Sequence, residues 1–402
     1  MKNISHGKQK KDSVPNNIKL NSFLLALVLT IPYLNLIFSS FASIQSPGLL
    51  FGVLTILIYA ISLIRSRKYE VPIMLVLCSM VIFIFFLVSY ISASYDGVVK
   101  ATVLSFLYYG FFSILVSLKS LSIKHTLIYI IILSIIGIID LNTLINSART
   151  TSGTISMSYS YAFLPSICAT IIFLIYYLKE SNLIILIGCA FNIYLLWLVV
   201  TDGSRGALLA IAFLIVLLIT NRYKKGHHKV NKWIIYILLI GILYLIVDFN
   251  NFIRSLYHFT HNYGFSLNII DKTYSKSLEG DALNNREYIY GLAVEGIKQS
   301  PIIGHGIGSF EIKYGGYPHN LLLQLLYEGG IILTTVVLGP ILYGFIWLYK
   351  KKTNNFNISM LIILLSSIGI PRLLFSANVW SRESFWLLFG LVIAHVIAKR
   401  RN

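Results

Sequence analysis

The length of its uncharged runs is what most narrows the folds open to this chain. Residues 71–94 contain no charged side chain, and comparable apolar stretches recur at 20–41, 48–64, 101–118, 125–145, 158–178, 183–200, 206–220, 233–249, 320–348, 358–377 and 383–398. A helix rises about 1.5 Å per residue, so roughly 20 apolar residues cross the ~30 Å hydrocarbon core of a bilayer. Lipid offers no hydrogen-bond partner to the backbone, so each run is expected to be helical. The expected fold is therefore an all-α polytopic membrane protein with twelve transmembrane helices. With 56% of its 402 residues hydrophobic and 12% charged, the chain carries more apolar surface than one soluble core could hide. That excludes a cytosolic enzyme, a secreted domain and a nucleic-acid-binding protein.

The net charge of +18 would suit a polyanion partner if the cations formed a patch, but most fall in short connections between apolar runs. Summed over alternate connections, Lys and Arg number 22 on one side and 11 on the other. By the positive-inside rule the richer side, with both termini, is cytoplasmic. The expected organisation is a basic cytoplasmic tail at 1–19, nine spans over 20–249, a large extracytoplasmic loop at 250–318, and three spans with a cytoplasmic C-terminus over 319–402. The polar tail Lys2 to Lys19 is expected to be disordered. The first span is expected to be an uncleaved signal anchor, because its apolar run is long for a signal peptide. Cys78, Cys168 and Cys189 fall inside spans without CxxC spacing, and His258, His261 and His305 lack metal-ligand spacing, so neither a disulfide nor a metal site is expected.

Within the large loop, Asn284 to Gln299 has Tyr288, Ile289, Leu292, Ala293 and Ile297 at helical spacing, and Pro301 stops the pattern. This predicts an amphipathic helix lying on the membrane surface. The stretch Pro301 to Phe310, with Gly304, Gly306 and Gly308, resembles a dinucleotide fingerprint in letters only, since no strand precedes it.

Three features of the extracytoplasmic side are candidates for chemistry. Arg205 opens a span within TDGSRG, with Asp202 or Ser204 as N-cap, so its guanidinium shares space with unpaired backbone N–H groups that favour an anion. Arg286 opens the loop helix in the same way. His319, in the sequence Tyr317-Pro318-His319-Asn320, sits where the positive end of a helix keeps an imidazole neutral and able to accept a proton. Taken singly, each has an ordinary reading as an interfacial anchor, a solvated charge or a loop-bonded histidine. Together they combine two cations and one base on the same face, which points to a phosphate-bearing, membrane-tethered substrate. Further along, Asn320, Gln324 and Glu328 recur every four residues, a polar stripe that takes a carboxylate about two turns into the bilayer. Glu328 must face protein or water, with Arg205, Arg372 or Arg382 as its expected partner.

These residues also carry a resemblance. Ser204 to Leu209 (SRGALL), Arg286 to Tyr290, Pro301 to Phe310 and Pro318 to Gly330 resemble the motifs of the O-antigen polymerase and O-antigen ligase superfamily. The resemblance is specific over Thr201 to Gly330 and rests on hydropathy alone in the N-terminal half. It implies a glycosyltransferase of the bacterial plasma membrane that uses no metal, nucleotide sugar or other cofactor. Its donor would be a glycan on undecaprenyl diphosphate at the outer leaflet. Arg205 and Arg286 would hold the diphosphate and His319 would act as base, with Tyr317, Asn320 and Glu328 in the substrate-binding set. The stretch GYPHNLLLQLLYEGG resembles polymerases more closely than ligases, which implies transfer onto a second lipid-linked repeat unit rather than onto lipid A core. A flippase and a chain-length regulator would be partners.

A transporter or lipid-oligosaccharide flippase is disfavoured. The long loop follows the ninth span rather than the midpoint, the halves do not resemble each other, and mid-span charges are scarce. A receptor whose loop is a binding module would need that loop to fold alone, and it has no cysteines and few strand signals.

Overall fold

Chain that cannot bond its backbone to lipid bonds it to itself, and the computed structural model is built of helices. It describes residues 14–41, 47–65, 71–93, 97–139, 141–149, 155–224, 249–264, 270–271, 274–275, 278, 286–350 and 355–398. The helices are α1 (Asn16–Phe41), α2 (Pro47–Arg65), α3 (Ile73–Ser92), α4 (Gly97–Ser117), α5 (Ile123–Ile138), α6 (Leu141–Ala148), α7 (Met157–Tyr176), α8 (Leu183–Asp202), α9 (Arg205–Lys224), α10 (Phe249–Asn262), α11 (Arg286–Gln299), α12 (Ser309–Tyr314), α13 (Leu321–Lys350), α14 (Phe356–Phe375) and α15 (Glu383–Ile397). Among the described residues β pairing is confined to one bridge between Arg149 and Ile155.

Seven of these helices are long and apolar enough to cross a membrane, and four shorter apolar helices accompany them. Each of these eleven falls on an expected span, 125–145 being met only in its first part, and the remaining span, 233–249, lies, but for Phe249, outside the described residues. The chain is a multi-pass membrane protein. α7 and α14 are the most enclosed helices, packed on each other, with α5 and α8 against α7 and α9 and α15 against α14. Outward-facing side chains of α2 and α3, such as Ile56, Leu57, Leu77, Met80 and Leu87, are exposed apolar groups of the kind a bilayer covers.

Three expectations need correction. The first helix begins at Asn16, inside the stretch expected to be a disordered tail, because the Pro15 carbonyl accepts the first turn's N–H groups from Ile18 and Lys19 at 3.0 and 3.2 Å. The fifth run is not one span over 125–145. Its α-helix ends at Ser134, whose carbonyl accepts the buried Tyr33 hydroxyl at 2.7 Å, and a 3₁₀ turn over Ile135–Ile138 leads to the separate helix α6. The loop helix α11 does not rest its apolar face on lipid. Ala293 and Gly296 are buried, and Ile289, Leu292, Ile297 and Leu323 pack around the Phe310 and Tyr327 rings.

The long helix α13 is broken at Gly330, where φ is 57° and ψ −158°. The glycine-rich segment after α11 fills the break. N–H groups of His305 and Gly306 donate to the carbonyls of Tyr327 and Glu328 at 2.9 and 2.8 Å, while the Pro301 and Ile302 carbonyls accept from Ile331 and Ile332 at 2.9 and 3.3 Å. Backbone groups on both sides of the break thus find partners, as a membrane-embedded chain requires. Gly304, Gly306 and Gly308 have φ of 68°, 99° and 80°, so the glycines set apart from a nucleotide motif serve a backbone turn. At Gly330 a Cβ would lie 2.2 Å from the Ile302 carbonyl oxygen, in a φ/ψ region that only glycine occupies readily. Gly330→Ala is expected to cost about 1–3 kcal/mol in backbone strain alone and to lower the thermal midpoint of the detergent-solubilised protein. An unchanged midpoint would show that the break relaxes freely.

Candidate functional site

Four helix ends meet at one end of the bundle: the start of α9, the start of α13, the end of α14 and the start of α15. Each brings a charged or titratable side chain. Arg205 is the first residue of α9, with Ser204 as N-cap: the Ser204 hydroxyl accepts the Ala207 N–H at 3.4 Å, and the Ser204 N–H donates to the Ser160 hydroxyl at 3.1 Å. The next residue must be small, since a Cβ on Gly206 would lie 1.8 Å from the Tyr161 hydroxyl. Tyr161, from α7, thus lies directly against the Arg205 turn.

His319 is not inside the helix it precedes. α13 begins at Leu321, and Asn320 caps it by accepting the N–H groups of Leu322 and Leu323 at 3.0 and 3.2 Å. This commits the Asn320 carboxamide oxygen to the backbone. His319 has φ of 55°, the sole positive value among the described non-glycine residues, a left-handed conformation that costs energy and that surrounding structure must enforce. Its ring lies 4.3 Å from that of Tyr317, and its Nδ1 is buried without a hydrogen-bond partner among the described residues. Burial, and then the Arg286 cation, hold the imidazole pKa below its ordinary 6.5, so the ring stays neutral at neutral pH.

Arg286, the first residue of α11, is close enough to act electrostatically on His319, Arg205 and Tyr161. The structure therefore brings Arg205, Arg286, His319 and Tyr317 to one locus. Tyr161 and Ser376 join them: the Ser376 hydroxyl donates to the Tyr161 hydroxyl at 2.9 Å, and the Tyr317 hydroxyl donates to the Ser376 carbonyl at 3.2 Å. Neither Tyr161 nor Ser376 stands out in the sequence, because each is an ordinary residue of an apolar helix or its end.

Glu328 is buried as the polar stripe required, but an arginine is not its partner. Its carboxylate accepts the Trp380 indole N–H at 2.7 Å and the Gln324 amide at 3.2 Å. Gln324 also donates to the Asn378 side chain at 3.0 Å and accepts the Val379 N–H at 3.2 Å. The stripe thus bolts α13 to the turn between α14 and α15. The sequence points to an arginine because charge is visible in letters; an indole N–H 52 residues away is not.

The result is a cluster of guanidiniums beside a neutral imidazole, at a junction of helix N-termini. Such a site attracts a multiply charged anion and can take a proton from a neighbouring hydroxyl. Residues 190–338 match a family model described as O-antigen ligase, a range that contains Arg205, Arg286 and His319. No curated protein and no solved structure matches the chain.

Proposed function

We propose that this chain, whose residues 190–338 match a family model described as O-antigen ligase, transfers a glycan from a polyprenyl diphosphate to the hydroxyl of an acceptor glycan. The observation that carries this reading is the meeting of Arg205, Arg286 and His319, from three distant parts of the chain, at one end of the bundle. The acceptor oxygen attacks the anomeric carbon, the bond from that carbon to the diphosphate oxygen breaks, and His319 receives the hydroxyl proton. The diphosphate leaves as a stable anion held by Arg205 and Arg286, so no general acid and no metal ion is called for. Attack from the face opposite the leaving group inverts the anomeric configuration.

The donor in this reading is an undecaprenyl-diphosphate-linked oligosaccharide. The site faces the outside of a bacterial plasma membrane, with both termini in the cytoplasm, as the 22 to 11 division of basic residues favours. A flippase delivers the donor and a chain-length regulator limits the product. The resemblance of the stretch from Gly316 to Gly330 to polymerases supports polymerisation of repeat units, with ligation to lipid A core as the alternative. Deleting the gene separates the two. A surface glycan capped at one repeat is the expected result and means polymerase. Long polymer stranded on the polyprenyl lipid means ligase, and an unchanged ladder would refute both.

A further inference from the structure

Two further arginines at this end of the bundle neither hold the diphosphate nor move the proton in that reading. Arg372 lies one turn before the end of α14, its guanidinium carbon 4.6 Å from the centroid of the Tyr161 ring. Arg382 immediately precedes α15, and its Nε is buried without a hydrogen-bond partner. Among the described residues neither guanidinium forms an ion pair or donates a side-chain hydrogen bond. Glu383 is near enough to act on Arg372, but Arg382 opposes it. A partly buried cation gives up water and normally recovers that loss from a carboxylate or a hydrogen-bond acceptor. Two neighbouring guanidiniums with Glu383 nearby but with no direct ion pair or side-chain hydrogen bond among the described residues are poised for an anion that arrives with substrate.

This pair is distinct from Arg205 and Arg286. Tyr161 stands between them: its hydroxyl edge abuts Gly206, next to Arg205, and its ring face carries Arg372. The pair is also fixed relative to the base. The turn joining Arg372 to Arg382 is tied to the His319 helix by Tyr317 on Ser376, Gln324 on Asn378 and Val379, and Trp380 on Glu328. An anion bound there is therefore held at a fixed place relative to the base.

We propose that Arg372 and Arg382 form a subsite for an oxyanion borne by the glycan itself, next to the reacting bond. This rests on the transfer reaction above and names its substrate class: a repeat unit with an acidic sugar, whose anion is a uronate carboxylate or a phosphate substituent. Planar guanidinium forks match both groups.

The test uses the lipid-linked repeat that accumulates when the gene is deleted. Its glycan is analysed by mass spectrometry. A portion is reduced with carbodiimide and borohydride, which turns uronates into neutral hexoses and leaves phosphates unchanged. The full-length protein, in vesicles of phosphatidylethanolamine and phosphatidylglycerol, is then given native and reduced repeat. The expected result is an acidic repeat whose reduced form is transferred at least about tenfold more slowly, the loss expected for one charge-assisted hydrogen bond. Arg382→Gln and Arg372→Gln should slow transfer of native repeat by a similar factor and add little on reduced repeat, and Arg382→Lys should recover part of the rate. A phosphorylated repeat without uronate, insensitive to reduction but sensitive to Arg382→Gln, assigns the phosphate source. A neutral repeat that is transferred normally, or a reduced uronate repeat transferred at the native rate, overturns the subsite alone. A wild-type protein that transfers neither form overturns the transfer reaction, and the subsite falls with it.

Discussion

Replacing His319 with alanine is expected to lower glycan transfer by about 10²–10⁴-fold, the usual contribution of a positioned base, while the protein still reaches the membrane. The imidazole Nδ1 is buried beside the Arg286 cation, with no hydrogen-bond partner among the described residues. The pH profile gives a second readout. Only the unprotonated ring can accept the hydroxyl proton, and its pKa lies below the ordinary 6.5 because burial and then Arg286 disfavour the imidazolium. Transfer should therefore hold steady as pH falls through 6.5 and decline only at more acid values. The residual activity of Arg286→Gln should show that decline at higher pH than wild type, since one of the two causes is gone. Rates that ignore His319→Ala would remove the base from the mechanism.

Arg286→Ala and Arg205→Ala are each expected to lower transfer by about 10²–10³-fold, as when one donor to a developing anion is lost. The signature is in the chemical step: release of polyprenyl diphosphate should slow more than donor binding weakens. Arg205→Lys should recover little, because a lysine keeps the charge but not the two-pronged donor. Should either alanine variant make long-chain product at the normal rate, the diphosphate would have to be held elsewhere.

How much of this was legible depended on whether a feature repeats along the chain or is made by contact. Apolar runs repeat, so eleven of the twelve expected spans reappear as helices, and the spacing of Leu292, Ala293 and Ile297 located α11. The break at Gly330 is invisible to hydropathy, since a glycine pair in an apolar run reads as ordinary helix; only the partner segment from Pro301 to Gly308 makes it stable. Arg205, Arg286 and His319 could be singled out because each is a polar residue at a helix boundary. That they meet, and that Arg372 stacks on Tyr161, are facts about distant segments that no local pattern records. The same limit explains the misassigned partner of Glu328.

The bolts between α13 and the turn at Ser376–Trp380 also bear on how the protein is made. A polytopic chain enters the membrane from its N-terminus, so Arg205, Arg286 and His319 all leave the ribosome before residues 376–380. Until then Tyr317 has no Ser376 to bond, Gln324 no Asn378, and the buried carboxylate of Glu328 no indole. The left-handed backbone at His319 has nothing on that side to enforce it. The nascent protein thus carries the three side chains of the proposed site before their arrangement is secured, and the proposed transfer is expected only once the last helical hairpin docks.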